Sequence, residues 1–488
     1  MPYNFTTHPF DDDKLKEECG IFGIYRTPDA AAHAALGLHA LQHRGQEAAG
    51  IVTRNGAQFY AHKEAGHVGD IFGAEKVIQS LPGDVAIGHV RYATCGGAGL
   101  RNVQPLYADL NFGGLAIAHN GNLTNAMTIK RELVKSGSLF QSTSDTEVVI
   151  HLMALSGQPT VKDKLIEACR KIEGAYSFVA LSKDGLMGVR DPHGVRPLVL
   201  GQLDSAYVLA SETCALDIIG AAYLRDIGPG ELIVIDETGL QSYFPFQKVS
   251  PRFCIFEYVY FARPDSKVEN KSVYEARKAI GAVLAQEAPV KADVVVPVPD
   301  SGVPGAIGYA QAAKIPFELG IIRNHYVGRT FIEPSDKIRH LGVKLKHNPN
   351  QNQITGKRVI LVDDSIVRGT TSKKIVDMVR AAGAKEVHMR IASPPITHSC
   401  FYGIDTPTRT ELVAANYSVA EIQQALGVDS LAFISIDGLY RAVGEVKRNK
   451  DMPQYCDACF TGEYAINLTD EQNQVTAPLP LFAEKAKA

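Results

Sequence analysis

The chain has 488 residues, with 50 basic and 53 acidic side chains for a net charge of -3, and it is 45% hydrophobic and 21% charged. That length suits about two domains; the composition excludes disorder as the main state, and a near-neutral chain with no long basic block lacks the phosphate electrostatics that drive nucleic-acid binding. No run approaches the roughly 18 apolar residues of a bilayer span, the N-terminus lacks a secretory core, and 8 cysteines are too sparse for a disulfide framework, so a cytoplasmic protein with reduced thiols is expected.

Residues 1–18 show no hydrophobic periodicity and end in a charged run from Asp11 to Glu18, the pattern of a solvated leader that is removed. From Cys19 onward, short β-prone runs follow at 19–25, 49–54, 84–92 and 113–121, with helical stretches at 29–43, 145–156 and 161–173. Further strands fall near 175–190, 198–211 and 231–244. Strands grouped in blocks predict an antiparallel β-sandwich with helical layers over 19–250. After about residue 250 the pattern becomes strand, loop, helix: helix 272–288, strand 293–299, helix 303–314, strand 316–322, strand 358–364, helix 371–382 and strand 386–392. This alternation predicts a parallel sheet covered on both faces over 251–488, with ligand sites at strand carboxyl ends, after 299 and after 364.

The run VILVDDSIVRGTTSKK (359–374) is an apolar strand, two carboxylates, a glycine turn rich in hydroxyls and a helix start. Gly369 frees backbone amides to face a phosphate at the positive helix end, and Thr370, Thr371 and Ser372 add hydroxyls. Asp363 and Asp364 stand beside that cradle, suited to ribose hydroxyls or a magnesium ion. The run resembles the binding loop of type I phosphoribosyltransferases. The resemblance implies that Arg368 to Ser372 hold the 5'-phosphate of phosphoribosyl pyrophosphate and that Asp363 and Asp364 hold its ribose. It also implies that Asp300, Ser301 and Gly302 in the turn 299–306 meet the pyrophosphate and its Mg2+, with Ser301, Asp363 and Asp364 near the metal. Between the two turns, 323–357 is basic and apolar-poor, and a functional lid is expected there.

Cys19 opens the first strand directly after the leader. Leader removal would give it a free α-amino group, whose reference pKa of about 7.7–8.0 suits a general base for its own thiol. HVRYATCGG (89–97) supplies Arg91, a fork for a substrate carboxylate; AHNGNLTN (118–125) supplies Asn120 and Gly121, donors for an oxyanion; STSDTEVV (142–149) supplies Asp145 for an ammonium group. Together with CGIFGI and QHRGQEAAG (42–50), these runs resemble the glutaminase domain of N-terminal-nucleophile amidotransferases. Cys95 departs from that pattern, as a second thiol near the expected glutamine site.

Cys456 and Cys459 form a C-x2-C pair, with Cys254 and Cys400 distant in sequence; four thiolates suit zinc and iron-sulfur clusters alike, and spacing does not choose. Cys169 and Cys214 have no such pattern and are expected in the core.

The two resemblances together are those of the amidophosphoribosyltransferase family and cover nearly all of the chain after the leader. They imply glutamine and phosphoribosyl pyrophosphate as substrates, and ammonia transfer from Cys19 to the ribosyl carbon. They also imply a [4Fe-4S] cluster on the four cysteines, inhibition by purine nucleotides and a homotetramer. The segment EYVYFARPD (257–265), with Tyr258, Tyr260 and Phe261, is expected to close a dry passage between the sites together with the lid.

Overall fold

The computed structural model describes residues 16–17, 19–92, 99–324 and 347–473. Two antiparallel sheets stack face to face in the first half. One runs Ala222–Asp226, Val199–Leu203, Ala206–Ala210, Cys19–Tyr25, Val85–Arg91, Ala48–Asn55, Gln58–Ala65. The other runs Gly239–Tyr243, Leu232–Asp236, Gly185–Arg190, Gly174–Ser182, Gly113–Leu123, Leu106–Leu110. The expected strands 175–190, 198–211 and 231–244 are each a hairpin of two.

Strand alternation explains the layering, because successive side chains leave on opposite faces. Ile21, Tyr25, Val85 and Ile87 meet Ala116, Ala118, Val179 and Leu181 in a core between the sheets. Phe22, Ile24, Ala86 and Val90 point the other way, under the Ala30–Ala40 helix. Leu115, Ile117 and Phe178 line the outer face of the second sheet, beneath helices Glu147–Leu155 and Val161–Cys169. Cys169 and Cys214 are buried in these outer layers.

The second half is a parallel sheet in the order Val294–Pro297, Arg358–Asp363, Glu386–Ile391, Ser430–Phe433. Val295, Ile360 and Val362 pack against helices Val273–Glu287 and Val303–Ala313. Val294, Val296, Val359 and Leu361 pack on the opposite face against helices Thr370–Ala381 and Val419–Leu426. The expected strand 316–322 does not join the sheet as a strand. Phe317 makes one isolated bridge to Val295, and Ile321–Arg323 pairs antiparallel with His347–Pro349, closing the base of the expected lid. Residues 325–346 of that lid lie outside the described residues. The apolar pattern of 316–322 is broken by Glu318 and Gly320, and Leu319 between them is exposed. The fourth parallel strand, Ser430–Phe433, is too short to stand out as a period in the sequence.

The helices Val273–Glu287 and Val303–Ala313 cross at glycines. A Cβ on Gly281 would stand 1.8 Å from the Gly305 carbonyl oxygen, and one on Gly308 1.9 Å from the Lys278 carbonyl oxygen. Backbone fills the space a side chain would need, so the second helix, with Ser301 and Gly302 at its start, is held close against the first. Gly281→Ala is expected to force the helices apart and cost about 1–3 kcal/mol, seen as a lower urea midpoint with an unchanged far-UV spectrum at zero denaturant.

Candidate active sites

Cys19 stands in register with Arg91 on the neighbouring strand, and Arg91 with Ala48 on the next. Cys19 shares the inward parity of Ile21, and Arg91 that of Ile87, so both side chains belong to the face between the sheets. Asn120 shares the parity of Ala116 and Ala118 on the opposing sheet and has no exposed surface. Its Nδ2 lies 3.5 Å from Ser211 Oγ, which accepts the Ile21 N–H at 3.0 Å; its Oδ1 has no hydrogen-bond partner. Gly121 has φ +140°, and a Cβ there would lie 2.1 Å from the Ala175 carbonyl oxygen. Only glycine keeps this strand end seated.

Asp145 sits at the edge of the same end. Its Oδ2 accepts the Leu123 N–H at 2.9 Å and lies 3.7 Å from His119 Nδ1, while the Thr146 hydroxyl donates to Oδ1 at 3.2 Å. Burial works to raise its pKa, but His119 and the N–H groups of Leu123 and Thr146 outweigh it and hold the carboxyl below its ordinary value. An ionised, half-buried carboxylate of this kind suits a cationic group. His119, Thr146 and Ser211 are supporting residues that the motif pattern did not single out. Cys95 lies outside the described residues, as do 1–15 and 18 of the leader. Lys16–Glu17 of the leader pairs with Ile404–Asp405.

In the second half the two expected turns meet. A Cβ on Gly302 would lie 2.4 Å from the Val362 carbonyl oxygen, so the 299–306 turn abuts the carboxyl end of the Arg358–Asp363 strand. Asp363 and Asp364 are both buried. Asp363 Oδ1 accepts the Asp364 N–H at 2.9 Å, while Asp364 accepts from the hydroxyls of Ser301 at 2.5 Å and Ser365 at 2.6 Å. Gly369, at φ +82°, turns the chain into the Thr370–Ala381 helix. Thr370 and Ser372 are buried in its first turn, and Thr370 Oγ1 has no hydrogen-bond partner. A buried unpaired hydroxyl at the positive end of a 12-residue helix is what an anion would satisfy. Arg368 reaches Glu411 at 3.0 Å, and Arg323 pairs with Asp300 at the surface. A small cavity lined by Val259, Arg277, Ser301 and Asp364, among others, joins this loop to the domain junction. Of the 257–265 segment, Val259 forms its wall; Tyr258 and Phe261 are core, the Tyr258 hydroxyl donating to the Val268 carbonyl at 3.2 Å.

The four singled-out cysteines come together from three segments. Phe253–Cys254 pairs in parallel with Tyr455–Cys456, placing Cys254 opposite Cys456, and Cys459 follows in the next turn. The Tyr402 N–H points at Cys400 Sγ at 3.3 Å. Burial pushes the Cys254 thiol up to about 12, and Cys456 and Cys459 are also raised by burial and by the charges of the other thiols. Asp457, between the last two, is buried and accepts from Arg448 Nε at 2.6 Å and the Tyr440 hydroxyl at 2.8 Å, which fixes the loop. Among the described residues no three His, Cys, Asp or Glu side chains lie close enough for a single metal ion. Four thiols gathered from three segments, with Cys254 in register with Cys456, are a donor set of the kind that suits zinc and iron-sulfur centres alike.

Behind Cys19, Arg44, Glu212, Arg196 and Glu257 have no exposed surface. Arg44 Nε donates to Glu212, and its Nη2 to Glu257 Oε2 at 2.8 Å; Arg196 Nη2 lies 3.0 Å from Glu257 Oε1. Glu212 also accepts from the Arg263 N–H at 2.8 Å and the Ser266 hydroxyl at 2.6 Å. Burial alone would raise the Glu212 carboxyl, but Arg44 and His43 hold it well below the ordinary range.

Residues 73–276 match the glutamine amidotransferase domain, and 267–392 the phosphoribosyl transferase domain. An amidophosphoribosyltransferase of Rhizobium etli is 55% identical over 475 residues, spanning 96% of this chain and 96% of the relative. One of Bacillus subtilis is 50% identical over 451 residues, 92% of this chain and 94% of the relative. The solved glutamine phosphoribosylpyrophosphate amidotransferase from B. subtilis complexed with ADP and GMP is similar with a TM-score of 0.88 and 48% identity, over 92% of this chain and 98% of that one.

Glu212→Gln should cost about 3–5 kcal/mol, because it leaves Arg44 buried with one carboxylate fewer. The folded-state pKa of Glu212 lies below its unfolded value of about 4.3. Its contribution is therefore present above that pH and is lost as pH falls through the depressed value. Urea titrations of wild type and variant should show their stability difference constant near neutrality and shrinking below pH 4.3 or so.

Proposed function

The chain belongs to the amidophosphoribosyltransferase family, and from that premise we propose how its own residues divide the work. Ammonia released from glutamine at Cys19 is transferred to C1 of phosphoribosyl pyrophosphate, giving 5-phosphoribosylamine, glutamate and pyrophosphate, the first committed step of purine synthesis. The reading is carried by one chain presenting Cys19, Arg91 and Asn120 on one inter-sheet face and, separately, an acid-glycine-helix turn with the unpartnered Thr370 hydroxyl.

In the glutaminase domain, 19–250, removal of residues 1–18 frees the Cys19 amino group to take the proton of its own thiol. The thiolate attacks the carboxamide carbon of glutamine. Asn120 Nδ2–H and the Gly121 N–H stabilise the oxyanion; the Cys19 α-ammonium returns its proton to the amide nitrogen as the C–N bond breaks, so ammonia leaves, and water then releases glutamate from the thioester, restoring the thiol. Arg91 holds the α-carboxylate and Asp145 the α-ammonium, consistent with the ionised state in which Leu123, Thr146 and His119 keep it.

In the phosphoribosyltransferase domain, 251–488, Arg368, Gly369, Thr370, Thr371 and Ser372 hold the 5'-phosphate, and Asp363 and Asp364 the ribose hydroxyls. Ser301, Asp363 and Asp364 are the residues suited to Mg2+, which neutralises charge on the departing pyrophosphate when bound. Cys254, Cys400, Cys456 and Cys459 would hold a [4Fe-4S] cluster, which crosslinks the three segments that bear them. Among the described residues no helix is long and apolar enough to cross a membrane. The family resemblance implies a homotetramer, and the ADP and GMP named for the B. subtilis complex support purine nucleotides as inhibitors.

Cys19→Ala should lower glutamine-dependent synthesis by on the order of 10⁴-fold while sparing synthesis from added ammonia. Asp364→Asn should do the reverse, keeping glutamine hydrolysis and abolishing ribosyl transfer. Equal loss of both activities in either variant would refute the division of labour.

Protein purified without oxygen should be brown, and bleaching in air should accompany loss of activity. Cys456→Ser should reduce the yield of folded enzyme, since such centres couple to folding. A colourless, fully active preparation holding stoichiometric zinc would reassign the four cysteines.

A further inference from the structure

We propose that Glu257 is a positioning residue through which occupancy of the ribosyl site sets the geometry of the glutamine site; this rests on the two-site reading above. Glu257 begins a single π-helical turn, Glu257–Phe261, at the junction of the two halves. π turns are rare and have a competing α-helical hydrogen-bond register, so such a turn can hold two discrete arrangements.

Each end of this turn is tied to one site. On the ribosyl side Arg277, which is buried, donates Nε to the Tyr258 carbonyl at 3.0 Å and Nη2 to the Ala262 carbonyl at 2.7 Å, binding the turn from within and just past its end. Arg277 lines the same small cavity as Asp364 and Ser301. Burial disfavours its charge, and Asp364 is the first of the neighbouring groups that restore it. Because Arg277 and Asp364 line one cavity, a ligand that engages Asp364 acts beside a cation that has two of the turn's carbonyls as its acceptors.

On the glutamine side the Glu257 carboxylate receives Arg44 at 2.8 Å. Arg44 ends the short Gln42–Arg44 turn, and its Cβ lies 3.4 Å from where a Gly20 Cβ would stand. The next residue, Gly45, is so close to the Arg91 strand that a Cβ there would meet the Arg91 nitrogen at 2.5 Å. Shifting Glu257 thus displaces a turn that presses on both strand ends carrying Cys19 and Arg91. With no water to relax the charges, the carboxylate and guanidinium move together.

The test measures glutamine hydrolysis with and without phosphoribosyl pyrophosphate, alongside ammonia-dependent synthesis, in the full-length enzyme. Wild type should show stimulation of roughly 5- to 150-fold. In Glu257→Gln, and in the charge-balanced double variant Glu257→Gln/Arg196→Gln, stimulation should fall to about onefold while ammonia-dependent synthesis persists. Wild-type stimulation in the double variant would mean that Glu257 only balances buried charge, and would overturn the inference while leaving the two-site reading intact. An unstimulated wild type that still hydrolyses glutamine and makes product from ammonia would overturn the inference alone, whereas a wild type lacking either activity would overturn the two-site reading as well. If neither variant accumulates, Arg44→Lys, which keeps the charge but loses the fork that reaches two carboxylates, decides the matter: stimulation at the wild-type level overturns the inference, and its loss with synthesis from ammonia retained supports it.

Discussion

Four charged side chains with no access to water, Arg44, Arg196, Glu212 and Glu257, hold the molecule's two halves in one arrangement. Removing such groups from water costs several kcal/mol each, which is recovered only when every charge has a partner in good geometry. Here the partners come from both halves, since Arg44, Arg196 and Glu212 belong to the sandwich and Glu257, Arg263 and Ser266 to the start of the second half. Separating the halves would strand all of these groups at once. The network is therefore better read as a constraint on relative placement than as a large net source of stability.

With placement set in this way, each half presents its proposed site at strand ends and a helix start. The proposed glutamine site lies where strand ends of two stacked sheets meet, and strand alternation directs Cys19 and Asn120 into the same space. The proposed ribosyl site lies at the carboxyl end of a parallel strand, where a glycine turn leads into a helix start. The close approach of Gly302, where a Cβ would lie 2.4 Å from the Val362 carbonyl oxygen, brings the Ser301 turn up to that strand end.

The cysteine-bearing segments add a second tie between the halves. The Phe401 carbonyl accepts from Asn122 Nδ2 at 3.0 Å, and a Cβ on Gly403 would lie 2.8 Å from the Gly121 Cα. Asp470 accepts from the N–H groups of Met127 and Thr128, next to the strand that ends in Gly121 and Leu123. The loop that follows Cys400 and the C-terminal segment are thus packed against the strand proposed to hold the oxyanion.

The sequence by itself determined the two-domain layout, most strands and helices, and the residue types of both candidate sites. These follow from short-range rules: period-2 and period-3.6 burial, glycine where φ must be positive, and hydroxyls at a helix start. Local pattern fell short where an element is brief, as at Ser430–Phe433, or where an apolar run is interrupted, as at 316–322. Tertiary structure alone decided the partners of Arg44, which lie 168 and 213 residues away, and the parallel register that sets Cys254 opposite Cys456, a meeting that the family resemblance had implied and no local pattern could. It also decided that His119 and Thr146 keep Asp145 ionised. Such pairings leave no trace in local periodicity, because a buried charge or thiol is defined by what the fold brings to it, and chain neighbours carry no record of that.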